Sequence, residues 1–158
     1  MSDWRVLSDQ RGIDELLKLF GNFHDGCIRE MHLWTETFVK ENLSMSCPSH
    51  LDTKVRILFQ RQFVSPSAVE LQFDGVVQVR MQPTAENYDS VIFEAGIFMS
   101  GDLFYWTDGG ATSLNEFLLG SPGTLIVGKQ LKWRDASPWM GPTLRYRSEV
   151  GADNFDAT

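Results

Sequence analysis

Two cysteines, Cys27 and Cys47, are the only thiols in 158 residues. So sparse a pair cannot build the disulfide framework of a small secreted domain. It reads as two reduced thiols in a cytoplasmic protein. Long apolar runs are scarce as well. None approaches the ~20 residues that cross a bilayer, so no membrane partner is expected. The first residues, MSDWRVLSDQ, lack a basic stretch followed by an apolar one, and no signal peptide is expected. Positive charge is in deficit: 14 Lys and Arg stand against 21 Asp and Glu, a net charge of −7. Polyanions repel such a chain, which disfavours nucleic acid and suits a basic partner. Strand–helix–strand alternation, internal repeats, low-complexity tracts and domain-splitting linkers are all missing. The reading is one domain over 1–158, with 150–158 as a frayed tail.

What the chain does have is apolar and aromatic. Hydrophobic residues make up 42 % and aromatic residues 12 %, with 11 Phe and 5 Trp. A chain of this length buries roughly 70 % of its unfolded surface, so it needs neither metal nor disulfide to fold.

In 9–20, DQRGIDELLKLF, the residues Ile13, Leu16, Leu17 and Phe20 form one apolar helical stripe. Ser8 or Asp9 caps its start, and Gly21 sits where a left-handed cap would end it. Residues 27–39 read as a strand with Met31 and Leu33 on one face and Glu30, His32, Trp34 and Glu36 on the other. Residues 41–52 read as a long loop.

Two hairpins follow. Apolar side chains alternate through Val55, Ile57, Phe59 and Phe63, then through Val69, Leu71, Phe73, Val77 and Val79. A three-residue loop, Ser65-Pro66-Ser67, would pair Phe59 with Phe73 and Phe63 with Val69. It would leave Arg61 on the apolar face, needing a partner or a route to solvent. In the second hairpin, a Ser100-Gly101 turn would set Gly96 opposite Tyr105 and Ala95 opposite Trp106. Both its faces are apolar, so it is expected at the centre of the sheet, with Glu94 opposite Thr107. Ser113 and Glu116 form a capping box for a short helix, and 125–133 reads as a last strand or strand pair bent at Gly128. The expected fold is α+β and mainly β. It is a curved antiparallel sheet or sandwich of about six to eight strands, with an N-terminal helix and a short second helix.

Three groups could carry function. Cys27, His32, Cys47 and His50 are zinc-ligand types, but their spacing fits no standard finger. In that strand Cys27 and His32 are five positions apart and so would face opposite ways, and no metal or cofactor is expected. His24, Asp25 and Cys27 could instead serve a small metal-dependent or hydrolytic enzyme. The structural alternative makes 21–27, GNFHDGC, a helix-to-strand corner. There Phe23 enters the core, Asp25 accepts backbone N–H groups and His24 donates to a carbonyl. Third, Glu30, His32, Trp34 and Glu36 could form a protein-binding face anchored by Trp34, or Trp34 could be half-buried against a neighbouring element. A small-ligand carrier or structural subunit would show a large apolar pocket between sheet and helix.

The stretch FGNFHDGCIREMHL resembles the Phe-His-Asp corner of small bacterial immunity proteins of polymorphic toxin systems. IFEAGIFMSGDLFYWTD is similar to their closing hairpin, with Trp106 and Asp108 as its aromatic–acid pair. The likeness spans roughly 20–108. It implies a non-catalytic cytoplasmic protein that sequesters a cognate toxin by stoichiometric binding. For an acidic chain, a basic toxin is the natural match.

Overall fold

A computed structural model describes residues 1–109, 115–116, 119 and 123–147. The expected capping box at Ser113 and the expected frayed tail fall outside these residues; Asn115 and Glu116 are helical. In chain order the elements are β1 (Arg5–Leu7), α1 (Gln10–Leu19), a 3-10 turn (Gly21–Phe23), β2 (Gly26–Trp34), β3 (Phe38–Val39), β4 (Met45–Ser46), β5 (Lys54–Arg61), β6 (Ala68–Arg80), β7 (Gly96–Ser100), β8 (Leu103–Thr107) and β9 (Leu125–Asp135). Among the described residues, no helix is long and apolar enough to cross a membrane.

The helix forms where its apolar spacing predicts. The Asp9 side chain caps it by accepting the Gly12 N–H at 2.9 Å. Ile13, Leu16 and Phe20 are fully buried. The chain leaves the helix at Phe20, and Gly21 follows at φ 57.

Seven antiparallel strands make one open sheet in the order β2-β5-β6-β9-β8-β7. The seventh, β1, also pairs with β9. Residues Leu125–Gly128 of β9 pair with β8, residues Leu131–Trp133 pair with β1, and β6 runs along the opposite edge. The fold is therefore mainly β: among the described residues this open sheet is joined only by the two-stranded pair β3–β4, and no second layer makes a sandwich. One face of it, the inner face, carries Val55, Ile57, Phe59, Val69, Leu71, Phe73, Trp106 and Leu131 against α1, all fully buried. Phe20, Phe23, Phe59 and Trp106 meet there edge-on or tilted, with ring centroids 4.8–5.8 Å apart. The helix–sheet space that a carrier would leave open is filled by these rings.

The outer face is polar across the middle strands. After Asp135 the chain turns back over it, and residues 136–147 form a strap. The Gln60 amide donates to the Trp139 and Gly141 carbonyls, and Arg29 donates to that of Pro142. Trp139 and Tyr146 on the strap pack over Leu58, Ala68 and Ala136.

Several expectations need correction. The first hairpin pairs Phe59 with Val69 and Val55 with Phe73, a register four residues from the expected one. Face parity survives the shift. The cause is a longer loop: β5 ends at Arg61, whose N–H donates to the Ser67 carbonyl, and Phe63 stands outside the sheet at φ 64. In the second hairpin Ser100 pairs with Leu103 and Gly96 with Thr107, so the turn is Gly101-Asp102. Gly101, at φ 60, takes the first turn position, where a tight hairpin needs a positive φ. That hairpin is not central. β7 is an edge strand and Glu94 is exposed, while β6 and β9 hold the middle. The 41–52 loop contains half of a small hairpin, β3 with β4, turned at Leu43. Arg61 is only 7 % exposed and does not meet Glu94. It lies 4.5 Å over the Phe20 ring and donates to the Pro66 and Leu19 carbonyls.

Candidate interaction surface

The GNFHDGC stretch is a corner built from left-handed backbone. Gly21, Asn22, Phe23 and Asp25 all have φ between 53 and 62. A Cβ on Gly26 would lie 2.9 Å from the Phe23 carbonyl oxygen, so glycine is required there. This winding drives Phe23 inward and leaves its neighbours outside. Phe23 is fully buried between Phe20, Phe59 and Trp106. His24 and Asp25 are each half exposed, with Nδ1 and Oδ2 3.3 Å apart. The Asp25 carboxylate thus faces His24, where backbone N–H groups were expected. The His24 ring lies 5.5 Å from Phe93.

The corner holds a second segment in place. Residues 81–95 connect β6 to β7 with almost no regular structure of their own. Three backbone hydrogen bonds pin the end of this loop to the corner. Asp25 N–H donates to Ile92 at 3.0 Å, Ile92 N–H donates to Gly26 at 2.7 Å and Ala95 N–H donates to Asn22 at 2.9 Å. Ile92 and Ala95 are buried at 6 % each. Between them Phe93 is 81 % exposed and Glu94 is exposed. A large aromatic held in solvent by its two buried neighbours cannot fold back into the core.

Beside the corner is a cavity of about 280 Å³, lined by Asp25, Cys27, Gln62, Val91 and Met140 among others. Gln62 N–H donates to the Asp25 carbonyl, which brings in the loop after β5. Phe63 follows at 96 % exposure and Val64 at 54 %. A cavity, two loops and several exposed apolar side chains therefore meet at one end of the sheet.

The second candidate face is largely occupied by the protein itself. Glu30, His32 and Trp34 do project to the outer face, as the alternation predicts. Their partners across β5 are Leu58, Arg56 and Lys54. Glu30 accepts the Arg145 and Tyr146 N–H groups of the strap at 2.7 and 3.2 Å. His32 lies between Trp34 and Tyr146, at 4.9 and 6.0 Å. Trp34 is half-buried, with the Arg56 guanidinium 5.6 Å from its ring. Glu36 binds Lys54 at 3.1 Å and His50 at 2.8 Å. The Lys54 hydrogen bond, then the one from His50, holds its carboxyl below the usual range.

Below these residues is a network that the sequence did not suggest. Glu70 is fully buried, accepting from Arg134 Nε at 2.7 Å and from the Tyr146 hydroxyl, with Arg56 at 3.9 Å. Burial, and then the bond to Glu70, raises the Tyr146 pKa. Trp4 lies against the same cations, 4.3 Å from the Arg134 guanidinium and 4.9 Å from Lys132 Nζ. In sequence Glu70 occupies an outward position of an alternating strand, the usual mark of a solvated residue. The strap covering it comes from the far end of the chain.

The four zinc-ligand types are dispersed. A bulge between Ile28 and Glu30 resets the phase of β2, so Cys27 and His32 share the outer face. The expectation of opposite faces assumed an unbroken strand. They sit opposite Gln60 and Arg56, roughly 13 Å apart along the strand at ~3.3 Å per residue. Cys47 is exposed and His50 is paired with Glu36. Among the described residues, no three His, Cys, Asp or Glu side chains are grouped to hold a metal.

No protein-family model, curated protein or solved structure matches this chain.

Proposed function

We propose that this protein works by binding, without catalysis, and that it sequesters a protein partner as the immunity proteins it resembles do. The observation that carries this is Phe93. Its ring is 81 % exposed while the backbone on either side is fixed to the corner. Exposing an aromatic this large forgoes about 1.5–3 kcal/mol of burial. A solvent-facing aromatic on a fixed backbone is the form a binding hot spot takes, because little backbone freedom is left to lose on association. Val91 in the adjoining cavity lining is 49 % exposed, and Phe63, next in the chain to the lining residue Gln62, is 96 % exposed.

The test is affinity capture from the native lysate at low and at high salt, followed by native mass spectrometry of the eluate. A stoichiometric protein complex is the expected result. If the protein elutes alone at both salt concentrations, the binding reading fails.

A further inference from the structure

The binding reading does not say where a partner sits or what kind of surface it offers. Charge distribution answers both. Between Arg80 and Lys129 the sequence contains no Lys, Arg or His, yet it holds Glu86, Asp89, Glu94, Asp102, Asp108 and Glu116. The loop 81–95 contributes three of these, and Glu86, Asp89 and Glu94 are all exposed. On the outer face, Glu36 pairs with Lys54 and His50, Glu70 with Arg134 and Asp74 with Lys54, while Glu30 is taken up by the strap's N–H groups. Among the described residues, Glu86, Asp89 and Glu94 form no ion pair, and Asp25 has His24 alone. Arg61 also lines the nearby cavity, but its guanidinium is turned to the Leu19 and Pro66 carbonyls.

We infer that the apolar groove beside the corner, lined by Val91 and Met140 and with the exposed Phe93 two residues along the same loop, docks a Lys/Arg-rich segment of the protein partner. The inference rests on the binding reading above. The groove takes an apolar side chain of that segment, and Asp25 in its lining, with Asp89 bonded to the Val91 N–H and Glu94 beside Phe93, takes the cations. Each unpaired carboxylate gains a partner without breaking an existing bridge. On the outer face a partner would first have to displace Lys54, His50 or the strap. The uncompensated negative field also steers a basic segment toward this end of the sheet before contact.

Site-specific photocrosslinking separates the two readings. The probe is p-benzoylphenylalanine, placed in turn at Phe93, Phe38 and Trp34, with irradiation in the native lysate. The Phe93 probe is also carried on a Glu86→Lys, Asp89→Lys, Glu94→Lys background, whose melting temperature is checked against the parent. These three residues are exposed and make no ion pair, but Asp89 also accepts the Val91 N–H at 3.1 Å, so an Asp89→Asn control, which keeps that acceptor, separates loss of charge from loss of the turn. The expected result has three parts: a crosslink from Phe93, attachment within a Lys/Arg-rich peptide of the partner, and about a tenfold loss of yield on charge reversal. Crosslinks from Phe38 or Trp34 but not Phe93 overturn this docking surface and leave the binding reading intact. A Phe93 crosslink that ignores charge reversal, or that maps to a segment without cations, overturns the partner's chemistry. Silence from all three positions in a lysate where capture still yields the complex overturns this docking surface; silence with no complex captured overturns the binding reading itself.

Discussion

Phe23 and His24 are neighbours with opposite surroundings, and substitution should separate them cleanly. Phe23→Ala removes a fully buried ring from a four-ring cluster, so a loss of about 3–5 kcal/mol in urea unfolding is expected. His24→Ala removes a half-exposed ring whose contacts are Asp25 and Phe93, so a change within about 0.5 kcal/mol is expected. The sequence made Phe23 readable as a core residue, since an apolar side chain between two glycines at a helix exit has few other places to go. It left His24 ambiguous, because chain adjacency to Asp25 fixes no geometry. Phe93 gave no local signal: IFEAG reads as continuous strand. Only the long run without a cation, from 81 to 128, could have drawn attention to its surroundings.

At the scale of elements, the strap over the outer face depends on Glu70 and Tyr146. Tyr146→Phe removes a hydrogen bond to a buried carboxylate and should cost about 1.5–3 kcal/mol. The pH dependence has a definite sign. The Tyr146 pKa is raised in the folded state, so its contribution is complete below the ordinary tyrosine value of about 10. Above that pH the unfolded chain loses the proton first and stability falls. The protection factor of the Tyr146 amide, which is bonded to Glu30, relative to its intrinsic exchange rate should therefore fall above about pH 10. It should be lower at neutral pH in the phenylalanine variant. Elements of this kind were poorly legible. α1 announced itself through its 3.6-residue stripe and β5 and β6 through alternation, because periodicity reports which face is buried. The strap has no period, and β1 is three residues long with Val6 71 % exposed. Both hairpin registers were missed for a related reason. They are set by the left-handed residues Phe63 and Gly101, and alternation is unchanged by a shift of two or four.

For the whole molecule, the N-terminal strand is the test. β1 adds to the same edge of β9 as β8 does, and it brings Trp4 over Arg134 and Lys132. Deleting residues 1–7 removes buried Leu7, Trp4 and three strand pairings. A loss of about 3 kcal/mol is expected, seen in calorimetry as a melting temperature about 6–12 °C lower. The open antiparallel class was legible from helix-then-strands order. The place of β1 was not, because its partner lies more than 120 residues away.

β9 is bonded to β1, β6 and β8. During synthesis β1 and α1 leave the ribosome before the strand β1 pairs with, β9. β5 can pair with β6 as soon as both emerge, but the sheet stays split until Leu125–Asp135 clears the exit tunnel. A nascent chain stalled before that point exposes the apolar faces of α1 and β6 together, which makes it a natural client for chaperones. Emergence of β9 then joins β1, more than 120 residues earlier, to β6 and β8 in one step.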